Sequence, residues 1–124
     1  MTIIHASVNY CQVPRGNPPD VDEVFAALAD PTRRQVVRLL GSGARRAGDL
    51  ADSIGTSAPA MSRHLRVLLR AGVVADERRA DDARLRVFHL RPESMVAVRA
   101  WLDQIQAEWD EQLQEFKKHV ERRS

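Results

Sequence analysis

The 124-residue chain holds one cysteine, Cys11. A single thiol cannot close an intramolecular disulfide, so no disulfide framework is possible, and a free thiol is the expected state in a reducing cytoplasm. Long hydrophobic runs are missing: nothing approaches the roughly 18 to 20 apolar residues that span a bilayer. The N-terminal stretch MTIIHASVNYCQVPRG has no charged start followed by a long apolar segment. The chain is therefore expected to be soluble and cytoplasmic, with no membrane partner. No phosphate-cradling glycine-rich loop is present, no nucleophile stands paired with a base, and Asp81 with Asp82 falls on an expected exposed turn. This pattern argues against an enzyme. Lysine is scarce as well: seventeen of the nineteen basic side chains are Arg, whose planar fork can bond both phosphate oxygens and the guanine edge.

The length fits one domain, and 44% apolar residues is enough for a small core. The net charge of +2 conceals an uneven distribution. Residues 1–29 and 92–124 each sum to −2, whereas residues 30–91 carry thirteen Arg against seven acids. A basic middle flanked by acidic ends favours nucleic acid as the partner, against the plainer reading of a solvated basic surface.

Pro14, Arg15, Gly16, Asn17, Pro18 and Pro19 interrupt any regular element, so residues 1–19 read as a tail and linker and residues 20–124 as the folded domain. Helical spacing begins with Val21, Val24, Phe25 and Leu28 behind Asp20 as N-cap. Asp30-Pro31 marks a second start, with Val36, Val37, Leu39 and Leu40 as its apolar face, ending at Gly41–Gly43. Ala47 to Ile54 forms a third helix that stops at Gly55. Ser57 caps a fourth, in which Met61, Leu65, Leu68 and Leu69 make the buried stripe and Ser62, Arg63, Arg66 and Arg70 the opposite face, until Gly72 ends it. Two successive helices, the second basic outside and aliphatic inside, fit a helix-turn-helix that sets a helix into a major groove of double-stranded DNA.

Beyond Gly72 the period changes to two. Val73–Arg79 and Arg84–Leu90 read as a β-hairpin, with Leu85, Val87 and His89 alternating against Arg86 and Phe88. Arg78, Arg79, Arg84 and Arg86 flank its polar turn, which predicts a positively charged wing. From Pro92 onward, Val98, Leu102, Ile105, Trp109, Leu113, Phe116 and Val120 recur every three or four residues on a charged helix, a stripe that needs a cover. The fold class is α+β, mainly α: a winged helix-turn-helix with a two-stranded wing.

From Val24 to about Val120 these residues resemble the ArsR-type family of bacterial winged-helix repressors. FAALADPTRRQVVRLL (Phe25 to Leu40) is similar to the family's opening signature, and SAPAMSRHLRVLLRAGVV (Ser57 to Val74) to its recognition helix leading into the wing. The resemblance implies repression by a homodimer joined through its first and last helices, with two recognition helices presented to successive major grooves of an inverted-repeat operator. Its dimer interface would draw on Val24, Phe25, Leu28, Trp101, Leu102, Ile105, Trp109, Leu113 and Phe116.

Metal-sensing members carry a Cys pair before the recognition helix or an Asp, His and Glu cluster on the last one. Here the first position reads GDLADSIG, and the last helix has His119 alone. No metal or other cofactor is expected, and the residues specify no effector. The expected DNA contacts are Ser57, Ser62, Arg63, His64 and Arg66 on the helix, with Arg78, Arg79, Arg84 and Arg86 on the wing. His64 is equally suited to packing, and Ser57 to capping. Arg33, Arg34, Arg45 and Arg46 read as a solvated surface with ion pairs, and Trp101 and Trp109 as packing at a dimer interface. Cys11 offers a thiol for an intersubunit disulfide, but its sequence neighbours supply nothing to activate it.

Overall fold

Three side-chain caps set the helical frame of a computed structural model that describes residues 19–82 and 84–123. The tail expected over residues 1–19, with Cys11, lies outside the described residues except for Pro19. Asp20 accepts from the Asp22 amide at 3.0 Å and opens α1, Val21–Leu28. Asp30 accepts from the Thr32 and Arg33 amides at 2.7 and 3.1 Å and opens α2, Pro31–Leu40. The proline stands in its first turn, where its missing N–H costs nothing. The two-residue strand β1, Arg45–Arg46, leads into α3, Ala47–Ile54. Ser57 accepts from the Ala60 amide at 3.2 Å and opens α4, Ala58–Arg70.

Strands β2, Val74–Arg78, and β3, Arg86–Leu90, form the wing, and α5 runs for 32 residues from Pro92 to Arg123. Between α3 and α4 the chain turns at Gly55, whose φ of 84° lies in the left-handed region that a Cβ disfavours. Amides of Gly55 and Thr56 both donate to the Ala51 carbonyl, at 2.8 and 3.0 Å, closing the helix end.

The core lies between α1–α4 and the base of the sheet. Val24, Val36, Leu50, Met61, Leu65, Leu68, Val73, Val74 and Phe88 are all buried there. Burying each such side chain stabilises the fold by roughly 1.5–3 kcal/mol. Ser94, at the start of α5, is also wholly buried and donates its hydroxyl to the Arg91 carbonyl at 2.9 Å, so its burial leaves no unmet polar group.

Two points correct the sequence-based expectation and a third completes it. The sheet has three strands in the order β1-β3-β2, all antiparallel, because Arg45 and Arg46 pair with Phe88 and Val87. The alternation along β3 leaves open which face points inward: Phe88 is buried, because β3 is the central strand and this face rests on α2 and α3. Val24 belongs to the protomer's own core at 0% exposure, so it has no surface to offer a second copy. Its neighbour Phe25 faces out and meets Trp101 of α5 edge-on, with ring centroids 5.4 Å apart and an interplanar angle of 77°.

Met95 and Val98 seat the first turns of α5 on the core. From Gln106 to Arg123 every residue of that helix is exposed. At about 1.5 Å per residue, its second half extends some 27 Å beyond the body. No helix among the described residues is long and apolar enough to cross a membrane.

The Asp30 carboxyl is held below its ordinary value, chiefly by the Arg33 amide it accepts, with the Thr32 amide adding to this. A depressed folded-state pKa contributes stability above the unfolded value of about 3.9 and loses it as pH falls through the folded value. Urea unfolding should therefore find Asp30→Ala less stable by about 1 kcal/mol at neutral pH. Asp30→Asn keeps an acceptor but does not titrate, and its deficit against wild type should shrink as pH drops below 4. A deficit independent of pH would show that the charge of this cap is immaterial.

Candidate nucleic-acid interface

The turn at Gly55–Ser57 places α4 across α3, and the burial of Met61, Leu65 and Leu68 decides which way α4 faces. The opposite side presents Pro59, Ser62, Arg63, Arg66 and Arg70, all exposed. At about 100° per residue these five fall within one arc roughly 100° wide. No acidic residue occurs between Ser57 and Val74. Among the described residues, Arg63 and Arg66 have no hydrogen-bond or ion-pair partner, so both guanidinium groups stand ready for an external anion or base edge. Ser57 uses its hydroxyl as the α4 cap, and Ser62 lies beside Arg63 on the outer face.

His64 does not share that face. It stands about 100° round the helix from Arg63, half-buried, and its Nδ1 lies 3.3 Å from Nη1 of Arg33 on α2.

The wing departs from expectation. Residues 74–90 contain four Arg and four acids, so the hairpin is formally neutral rather than a positive finger. Arg79 donates twice to Asp81, at 3.0 and 2.8 Å, and Arg84 twice to Asp82, at 3.1 and 3.2 Å. Arg86 donates to Asp76 at 2.6 Å and stacks over the Phe88 ring at 4.8 Å. Arg78 pairs across the ladder with Arg86 in backbone register. The Arg79 guanidinium pulls the Asp81 carboxyl below its usual value, and the Arg84 guanidinium does the same to Asp82. The expectation of a positive wing places Asp81 and Asp82 on the turn but does not set them, or Asp76, against the arginines of the same hairpin.

Arg33 and Arg34 do more than meet solvent: Arg33 is half-buried, and Arg34, though exposed as expected, also bonds the backbone. Arg33 donates to the carbonyls of Ala27 and Ala26 at 2.6 and 3.4 Å, and Arg34 to those of Leu28 and Ala29 at 2.8 and 3.1 Å. They thus satisfy the open carbonyls at the end of α1. The sequence signal was their place just after the Asp30-Pro31 corner, which turns α2 back beneath α1. Arg45 is tied back too, donating to the Leu39 carbonyl at 3.3 Å, whereas Arg46 is the exposed, ion-paired residue expected, 3.4 Å from Asp49.

The remaining apolar positions lie on α5 and α1. Trp101, Leu102, Trp109, Leu113, Phe116 and Val120 are exposed, Phe25 is exposed beside Trp101, and Ile105 and Leu28 are half-buried. Among the described residues no three His, Cys, Asp or Glu side chains converge as metal ligands.

A paired α3–α4 unit, a free basic face on its second helix and a hairpin beside it define a winged helix-turn-helix DNA-binding protein. A family model for the helix-turn-helix domain matches residues 28–77. The chain is 43% identical over 82 residues to the HTH-type transcriptional regulator Rv2034 of Mycobacterium tuberculosis, covering 66% of this chain and 74% of that protein. It is 42% identical over 59 residues to the transcriptional repressor SdpR of Bacillus subtilis, covering 48% of this chain and 66% of that one.

Among solved structures, an ArsR-like transcriptional regulator from Rhodococcus superposes with a TM-score of 0.71 at 30% identity, covering 79% of this chain and 90% of that one. The homodimeric winged helix-turn-helix DNA-binding domain Mb0332 of Mycobacterium bovis, a possible ArsR-family regulator, does so with a TM-score of 0.54 at 26% identity, covering 75% and 81%. The chain belongs to the ArsR family of helix-turn-helix transcriptional regulators.

The wing pairs are exposed, so phosphates can replace the carboxylates. Replacing both Asp81 and Asp82 by Asn should raise affinity for unrelated duplex DNA severalfold. It should also steepen the slope of log affinity against log salt by up to about two, one counterion for each Arg released. Fluorescence anisotropy across a salt series reads both; an unchanged slope would show that the wing tip stays off the backbone.

Proposed function

We propose that the protein is a cytoplasmic, metal-independent transcriptional repressor that binds an inverted-repeat operator as a homodimer and acts by occupying it. The observation that carries this reading is the outer face of α4, where Arg63 and Arg66 are exposed, unpaired among the described residues and free of neighbouring acids. Ser57, Ser62, Arg63 and Arg66 are the base and phosphate contacts of α4, and Arg78, Arg79, Arg84 and Arg86 those of the wing. Metal independence rests on the α3 segment GDLADSIG, which offers no thiolate, and on α5, which offers His119 alone.

Dimerisation is supported by a regularity along α5. Leu102 and Leu113, Ile105 and Phe116, and Trp109 and Val120 are each eleven residues apart, and Val98 stands eleven before Trp109. An eleven-residue period, about 3.67 residues per turn, keeps the stripe on one side of a nearly straight helix. A second copy of α5, with Phe25 and Trp101 beside it, is the cover this stripe fits, in line with the homodimeric relative. Sedimentation velocity should find a species of about twice 14.0 kDa, and Leu113→Asp with Phe116→Asp should halve it while circular dichroism stays helical. A wild-type monomer at micromolar concentration would overturn the assembly.

The DNA-binding claim is tested by selecting duplexes from a random pool and measuring anisotropy with the enriched and an unrelated sequence. Arg63→Ala should weaken binding to the enriched duplex by about tenfold or more, as losing a bidentate base contact does, and to the unrelated duplex far less. Equal loss on both would restrict Arg63 to the backbone, and a pool that never enriches would remove sequence-specific binding.

A further inference from the structure

We propose that Arg33 and His64 form a positioning contact that holds the recognition helix at a fixed place against the α1–α2 corner, so that His64 serves DNA binding without touching DNA. The inference rests on the DNA-binding reading of α4. Arg33 is anchored at three points: its backbone amide donates to Asp30, and its guanidinium donates to the Ala27 carbonyl at 2.6 Å and the Ala26 carbonyl at 3.4 Å. The remaining guanidinium nitrogen, Nη1, points at Nδ1 of His64, 3.3 Å away. Arginine has no acceptor atom, so Nδ1 must carry the lone pair and the ring proton must sit on Nε2. One interaction thereby fixes both the tautomer of His64 and the orientation of its ring.

The location gives the contact its purpose. Beside Arg33 an open cleft of about 250 Å³, lined by Glu23, Ala26, Ala27, Val67, Arg70 and Ala71, separates α1 from the second half of α4. Arg33 of α2 lines this cleft and reaches from it to His64, so the Arg33–His64 contact adds a polar tie to the apolar packing of Ala27 and Leu68 beneath. On its far side α1 carries Phe25, which meets Trp101 of α5. The chain of contacts therefore runs from α5 through α1 and Arg33 to the middle of α4. A small displacement of α4 disturbs base-edge contacts more than phosphate contacts, since the former fix geometry at individual bases.

The test uses the full-length protein and compares two replacements. Asn places its oxygen near the position of Nδ1, whereas Gln reaches the position of Nε2. His64→Asn should bind the enriched duplex within about threefold of wild type. His64→Gln and Arg33→Met should each lose about tenfold on that duplex, with little loss on unrelated DNA, the size expected for one charge-assisted hydrogen bond. Long-range nitrogen–proton NMR of the free protein should show His64 as the pure Nε2–H tautomer, becoming a mixture in Arg33→Met.

Several results would overturn the proposal. Binding kept by His64→Gln and lost by His64→Asn would mean that the Nε2 edge touches DNA directly. An unchanged ratio of enriched to unrelated affinity in every folded variant would leave the pair a purely structural contact. A proton on Nδ1 in the free wild type would refute the hydrogen bond itself. A wild type without sequence preference would remove the DNA-binding reading and the positioning role with it, while the tautomer would still decide whether Arg33 orients the ring.

Discussion

Met61, Leu65 and Leu68 fix the rotation of α4 about its own axis, and the rest of the site follows from that rotation. Turning the helix to bring Arg63 inward would expose these three side chains, at a cost of several kcal/mol by the usual burial values. No surface ion pair among the described residues competes with that. The outward set of Ser62, Arg63, Arg66 and Arg70 is thus imposed by the core rather than chosen by charge. The left-handed Gly55 and the Ser57 cap then fix where the helix begins, so orientation and origin are both set before any DNA arrives.

Charge in the molecule is divided by role. On α4, Arg63 and Arg66 face solvent without an ion-pair partner among the described residues, whereas on the wing each of Arg79, Arg84 and Arg86 is matched by an Asp of the same hairpin. Non-specific affinity grows with each phosphate neutralised, so a fully basic wing would hold the protein on any sequence. Matching the wing charges lowers that background and leaves discrimination to the helix that can enter a groove. Elsewhere Arg acts as a structural donor: Arg33 and Arg34 close the carbonyl end of α1, and Arg45 binds the Leu39 carbonyl.

The parts that the sequence made legible depend on neighbours a few residues apart. Asp20, Asp30 and Ser57 cap helices through amides two or three positions on, and the stripe of α4 is spaced by one helical turn, so all were readable. What sequence reading missed depends on distant partners. The phase of β3 is decided by packing on α2 and α3, which a local alternation cannot report. A two-residue strand such as β1 has no period at all. Val24 and Phe25 are adjacent apolar residues on one helix, and only the position of α5 tells which faces the core and which faces out. His64 reads equally as a DNA contact or as packing, and the choice between them turns on an Arg thirty-one residues earlier in the chain, which its ring meets.

The central claim is that two copies of α4 lie in successive major grooves on one face of the duplex. Hydroxyl-radical footprinting of the enriched duplex tests it most directly, since it reads backbone protection nucleotide by nucleotide. The account predicts two protected patches related by two-fold symmetry, with centres about 10 base pairs apart, and loss of both patches together when the α5 stripe is disrupted. One patch, or uniform protection without symmetry, would contradict it.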